Sequence, residues 1–192
     1  MNQGALGFPM GVMGAGVLVS LTQQVASNSP SLIFRDVISS LYDEYDIEMF
    51  NLVPQTSSSL YVKVSIDGGS SWLAGTTYRC ASFFRNSNGA FGNAASSNGA
   101  AQWPINNGAL NSASGGGHCG KYRLYSPANA GGVATCQFHG EGYSLSTDSG
   151  HDYGWEIHGR QTTTSPIDAL QIIFSSGNIV SGIVRIYGVA KP

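Results

Sequence analysis

The chain holds 192 residues, 26 of them glycine, with 10% charged side chains and a formal net charge of −2. An average soluble domain carries about a quarter charged residues and about 7% glycine. The 42% apolar content excludes a highly charged disordered chain. The near-neutral balance excludes the basic stripe of a nucleic-acid binder, and the scarcity of Glu, Lys and Arg excludes long charged helices. What remains is one globular, loop-rich, β-rich domain, which the strand signals along the chain make an all-β antiparallel β-sandwich with an extended N-terminal arm and a long glycine-rich loop.

No charged side chain precedes Arg35. Residues 5–21 are mostly apolar, but they lack the basic start of a secretion signal. They are also too short and too glycine-broken for a transmembrane helix. They read as an arm leading into a first strand, Val17 to Val25, so that residues 1–30 form arm and strand and residues 31–192 a single sandwich domain. Phe8, Met10, Val12, Met13 and Leu18 are the arm's candidate anchors on a partner. Ser31 to Tyr42 has helical spacing at Ile33, Val37 and Leu41, weakened by serines and β-branched residues.

Leu60 to Ile66 alternates strictly, with Leu60, Val62, Val64 and Ile66 on one face, the mark of a half-buried strand. Asp67-Gly68-Gly69 supplies the turn after it. Tyr45 to Phe50 also alternates, and the two segments read as neighbouring antiparallel strands. Thr76 to Phe84 is a further strand. Residues 86–120, rich in Gly, Ala, Ser and Asn, read as a long exposed excursion pinned by Trp103. Strands resume at Lys121–Tyr125, Val133–Phe138 and about Gly154–His158. Ala169–Phe174 and Ile179–Val189 read as a terminal hairpin, with Gly182 a bulge or bend. The total is seven to nine strands, as expected of a sandwich or barrel.

The search for chemistry yields little. Gly115 to Lys121 matches the spacing of a phosphate loop, but Tyr122 stands where Ser or Thr would hold Mg²⁺, and a strand-like segment follows where a helix is needed. His118, His139, His151 and His158 fit no ligand motif and read as scattered loop residues, although His139/Glu141 and Glu156/His158 would each share a strand face. No metal and no cofactor is expected. Cys80, Cys119 and Cys136 read as three reduced thiols, with one disulfide plus a free thiol as the rival. Asp148, Asp152 and Glu156 near His151 leave a glycan-cleaving carboxylate pair conceivable, to be judged by separation in space. The aromatic residues are more suggestive. Tyr143, Tyr153 and Trp155 lie in a polar segment, and with Trp103 they are the candidate surface-contact residues, since rings bring contact area at low entropy cost. Burial of Trp155 in the core is the competing reading.

Two segments are distinctive together. One runs from Arg35-Asp36-Val37-Ile38-Ser39-Ser40 through Tyr42 to Glu48 and Asn51-Leu52-Val53-Pro54 to Leu60–Trp72. The other is Ser175 to Gly182 ending in Arg185-Ile186-Tyr187-Gly188. They resemble a family of small tailed-bacteriophage virion structural proteins, over about half the chain. The resemblance implies a jelly-roll sandwich in the virion, used as a tail-fibre or tail-tip module contacting the host surface, or alternatively as a capsid decoration or head-fibre protein. It implies no catalytic residues. Its expected partners are other virion proteins, further copies of the chain (a trimer foremost) and a host-surface glycan or protein, with no nucleic acid and no membrane insertion.

Overall fold

The computed structural model describes residues 16–106, 110–112, 116–128, 136–145 and 151–191. Among them are twelve strands and no helix: β1 (Leu18–Ser29), β2 (Leu32–Phe34), β3 (Glu44–Pro54), β4 (Leu60–Ser65), β5 (Tyr78–Asn86), β6 (Phe91–Ala100), β7 (Trp103–Pro104), β8 (His118–Tyr125), β9 (Gln137–Leu145), β10 (Asp152–Gln161), β11 (Ala169–Phe174) and β12 (Ile179–Val189). They form an antiparallel eight-stranded sheet, ordered β1-β12-β3-β8-β9-β10-β5-β6, and a four-stranded sheet, ordered β2-β11-β4-β7. The protein is an all-β sandwich, as its strand signals imply.

The inner faces carry the apolar halves of the alternating segments. Tyr45, Ile47 and Met49 of β3, Leu124 of β8 and Val184 and Ile186 of β12 meet Phe34, Leu60, Val62, Val64, Leu170 and Ile172 of the small sheet in one core. Each such side chain contributes roughly 1.5–3 kcal/mol by leaving water. Ile66, expected inside with them, is 38% exposed. The strand stops at Ser65, whose buried hydroxyl accepts the N–H groups of Asp67 and Gly69 at 3.1 and 2.9 Å and so shapes the turn. Gly68 and Gly69 have φ of +69° and +76° there, which side-chain-bearing residues rarely adopt.

Three expectations about connection are corrected. β3 and β4 are not neighbours: β3 lies between β12 and β8, and β4 between β11 and β7. Nor do β11 and β12 form a hairpin, since they belong to opposite sheets. The two connections, residues 55–59 and 175–178, cross the sandwich side by side and satisfy each other's backbone. The N–H of Ser175 donates to the carbonyl of Ser59 at 2.8 Å, that of Ser59 to Ser175 Oγ at 3.1 Å, and that of Gln55 to the carbonyl of Asn178 at 2.8 Å. Paired crossings of this kind leave the same sequence signature as hairpin loops. The helical spacing after Ser31 is also not realised. β2 pairs with β11, and Asp36 then adopts φ +54°, which ends regular structure.

The glycine-rich excursion is partly strand. Phe91–Ala100 pairs along β5, and Trp103–Pro104 pairs with β4. At the N-terminal end, β1 pairs with β12 over most of its length, so it is an edge strand of the large sheet. Leu18 is its first residue, paired with Val189 and exposed. Phe8, Met10, Val12 and Met13 lie outside the described residues. Gly182 does bend its strand: φ is +125°, the β3–β12 register shifts on both sides of Ser181, and a Cβ there would stand 2.6 Å from the Asn51 carbonyl oxygen.

Glycine also has a second use, inside the strands. A Cβ on Gly140 would lie 2.4 Å from the Lys121 carbonyl oxygen and 2.5 Å from the Tyr122 ring. One on Gly142 would lie 2.5 Å from both His118 Cε1 and the Tyr122 hydroxyl, and one on Gly159 would lie 2.6 Å from Trp103 Nε1. These glycines leave shallow slots in which the rings lie flat. Phe138 stacks on Trp103 at 4.7 Å and on Tyr122 at 5.5 Å, within 10° of parallel in both cases. Offset stacking adds about 0.5–1.5 kcal/mol per pair beyond burial.

Candidate contact face on the large sheet

The outer face of β8, β9, β10 and β5 gathers most of the polar chemistry. Antiparallel register sets the side chains in rows. Cys119, Tyr143, Gly154, Arg85 and Phe91 form one; Lys121, Glu141, Glu156 and Phe83 the next; Arg123, His139, His158 and Ala81 the third.

The first two rows enclose an open groove of about 520 Å³. Gly154 opens its floor, since a Cβ there would meet nothing nearer than the Arg85 carbonyl oxygen at 3.9 Å. Its walls are rings: Tyr143 is 53% exposed and Phe91 65%. Phe91 is held upright by stacking on Phe83, with centroids 6.2 Å apart, and by the Arg85 guanidinium 5.6 Å from its own centroid. Glu141 and Glu156, directly opposed across β9 and β10, supply acceptors at the rim, and Lys121 a donor. A hydrogen bond to the Asp152 carboxylate raises the Tyr143 phenol above its ordinary pKa.

The adjoining β3–β8 border is an ion-pair network. Asp46 is fully buried beneath Arg123, which grips it through Nε and Nη2 and reaches Glu44 at 2.9 Å. Lys121 lies 3.1 Å from Asp46 and 3.7 Å from Glu48. Burial alone would raise the Asp46 pKa, but hydrogen bonding to Arg123 and Lys121 outweighs it and holds the carboxyl below its usual value.

The four expected contact residues divide. Tyr143 stands on the outer face and lines the groove. Trp155 points inward, is buried, and donates its indole N–H to Ser144 Oγ at 2.7 Å, so that it meets the groove only at its floor. Tyr153 is half-buried and stacks on Trp155 at 5.1 Å, beside Phe84. Trp103 is not a surface residue. It is wholly buried, between Tyr78, edge-on at 5.2 Å, and Phe138. The apolar island within the polar tract is therefore a core anchor, as expected of a large ring that must hold a poorly apolar segment in place.

Sequence reasoning missed Phe83, Arg85 and Phe91. The alternation Phe83–Arg85 was a legible outward face, but Phe91 stood inside a segment too poor in apolar residues to read as a strand. The histidines also separate into types. His139 and His158 are not scattered in loops; they face each other across β9 and β10. His118 is buried on the inner face, its Nε2 2.7 Å from the Tyr122 hydroxyl, and desolvation pushes its pKa down to about 3. Among the described residues, Gly116 and Gly117 lead straight into β8, with no helix N-terminus there for a phosphate. All three cysteines are free thiols; Cys80 and Cys136 are buried, their pKa values raised by desolvation, and Cys119 is exposed. No protein-family model and no curated protein matches the chain.

Proposed function

We propose that this chain is a non-enzymatic structural protein of a tailed-bacteriophage virion, a tail-fibre or tail-tip module whose groove contacts the host surface. The resemblance of its two terminal segments to that class motivates the reading. The strand order supports it. With β5–β6 and β9–β10 set aside, successive strands alternate between sheets, except β4 and β7, which share the small one, in the orders β1-β12-β3-β8 and β2-β11-β4-β7. That order is in keeping with a double-sheet jelly roll, an architecture of viral capsid and lectin domains. The two additional hairpins widen one sheet and carry the groove.

The observation that carries the contact role is the groove itself, with two exposed rings, an open glycine floor and rim carboxylates. Flat rings beside hydrogen-bonding groups suit a sugar ring or a protein loop on a host surface. Particles carrying Tyr143→Ala with Phe91→Ala are expected to assemble normally and to adsorb to host cells at least about tenfold more slowly, as loss of two anchor rings implies. Normal adsorption by such particles overturns the contact role.

A capsid-decoration or head-fibre role is the second reading, favoured by the edge strand β1. This strand exposes Leu18 and Val25, the latter 61% exposed, beside a backbone edge that no other described strand pairs and on which a neighbouring subunit could add a strand. Tens to hundreds of copies per particle would support decoration, and a handful, arranged as trimers, a tail position.

A further inference from the structure

We infer that the outer face of β9 and β10 carries a divalent transition-metal site, made by His139, His158 and Glu156 and suited first to Zn²⁺. The inference does not depend on the virion reading, because it rests on the side-chain geometry alone.

His139 and His158 are direct partners across the antiparallel ladder, with ring centroids 4.6 Å apart. Glu156 lies two residues before His158 on the same face, its Oε1 2.8 Å from His158 Nε2. One ligand atom from each of the three lies within 4.8 Å of the other two. A zinc ion with bonds of about 2.0–2.2 Å holds its ligand atoms about 3–3.5 Å apart, so rotations of exposed side chains close the set. Two imidazoles and one carboxylate favour Zn²⁺, Ni²⁺ or Cu²⁺ over Ca²⁺ and Mg²⁺, which take oxygen ligands.

The backbone beneath the three residues is held on its inner face. Phe138 and Gly140 flank His139, and Ile157 and Gly159 flank His158; the stacked rings of Trp103, Phe138 and Tyr122 fill the space below. The spacing of the two histidines is thus set by core packing, which lowers the ordering cost of binding. Of the neighbouring cations, Arg160 and Arg79 lie beyond His158, and the two on the other side are engaged elsewhere. Arg123, the register partner of His139, is gripped by Asp46 and Glu44, and Lys121, the partner of Glu141, by Asp46 and Glu48. Glu141, opposite Glu156, adds negative potential at the site.

The test is calorimetric titration of the whole chain, purified without a polyhistidine tag, with Zn²⁺, alongside Co²⁺ as a visible-absorption probe. One equivalent should bind. His139→Ala and His158→Ala should each weaken binding by at least about tenfold, the cost carried even by the outer partners of metal ligands. Glu156→Gln should weaken it less, and His151→Ala not at all. The three ligand residues are exposed, so the variants should keep the parent Tm, separating a lost site from a lost fold. Absence of saturable binding, or undiminished binding by the His139→Ala/His158→Ala double variant, overturns the site.

Discussion

The eight strands of the two facing quartets, β1-β12-β3-β8 and β2-β11-β4-β7, and the four strands that extend the large sheet solve the packing problem differently. The first group fills most of its interior with aliphatic side chains in alternation, such as Leu60, Val62 and Val64 or Val184 and Ile186, with rings such as Phe34 and Tyr45 among them. The extension, β9, β10, β5 and β6, has few aliphatics. It buries Phe138, Tyr78 and Trp155, and its Gly140, Gly142 and Gly159 give clearance to the rings of Tyr122, His118 and Trp103 that reach in from β8 and β7. Stripping side chains from one face lets the rings lie flat, and the opposite face of the same strands is then free to present Tyr143, Glu141, Glu156, His139 and His158. Surplus glycine is therefore a packing device within the sheet as well as a loop-former.

The sharpest way to break this division is at Trp103, which reaches from the small sheet into the extension's slots. Trp103→Ala should cost about 3–5 kcal/mol, the range for a buried aromatic, measured by denaturant unfolding. A loss below about 1 kcal/mol would mean that the extension is held by its ladders alone.

A second test titrates the slot that holds His118. In the unfolded chain this imidazole takes its proton near pH 6.5, whereas in the folded protein desolvation delays protonation to about pH 3. Between those values the unfolded state binds the extra proton. This contribution is complete above pH 6.5 and declines as pH falls toward 3. Stability should fall by about 2 kcal/mol between pH 6.5 and pH 5, before the carboxylates titrate, and His118→Gln should flatten the slope. A parent protein equally stable at both pH values would contradict the account. The depressed Asp46 and Asp67 carboxyls act lower down. Asp67 is held at about 2 by the Ser65 and Ser71 hydroxyls, and its contribution is present above the ordinary carboxylate value and lost as pH falls toward 2.

The smallest effect sharpens the contrast between inner and outer faces without disturbing either. Of the three thiols, only Cys119 is exposed. A disulfide reagent should label one cysteine rapidly in the native protein and all three after denaturation. Fast native labelling of two would place Cys80 or Cys136 nearer the surface than the packing allows.

Much of the group of facing quartets was legible from residues. The alternation in Tyr45–Phe50 and Leu60–Val64, the Asp67-Gly68-Gly69 turn and the Gly182 bend are local signals, each read from a few consecutive side chains. The extension was legible only as a composition. Glu141 to His158 stood out as polar and aromatic, which drew notice to Tyr143, but Phe91 could not be placed without its partner strand. His139 and His158 lie nineteen positions apart by number, and only the β9–β10 register brings their rings together.

The amino-acid sequence by itself determined an all-β chain, most of its strands and where it must turn, because side-chain alternation and backbone freedom act over two to four residues. The tertiary structure alone decided which strands are neighbours, that paired crossings replace two apparent hairpins, and that Trp103 is core. It also decided that a groove and a histidine pair form on one face. Those outcomes depend on ladder register and on the fit of rings over glycines, contacts between residues far apart in the chain that no local pattern encodes.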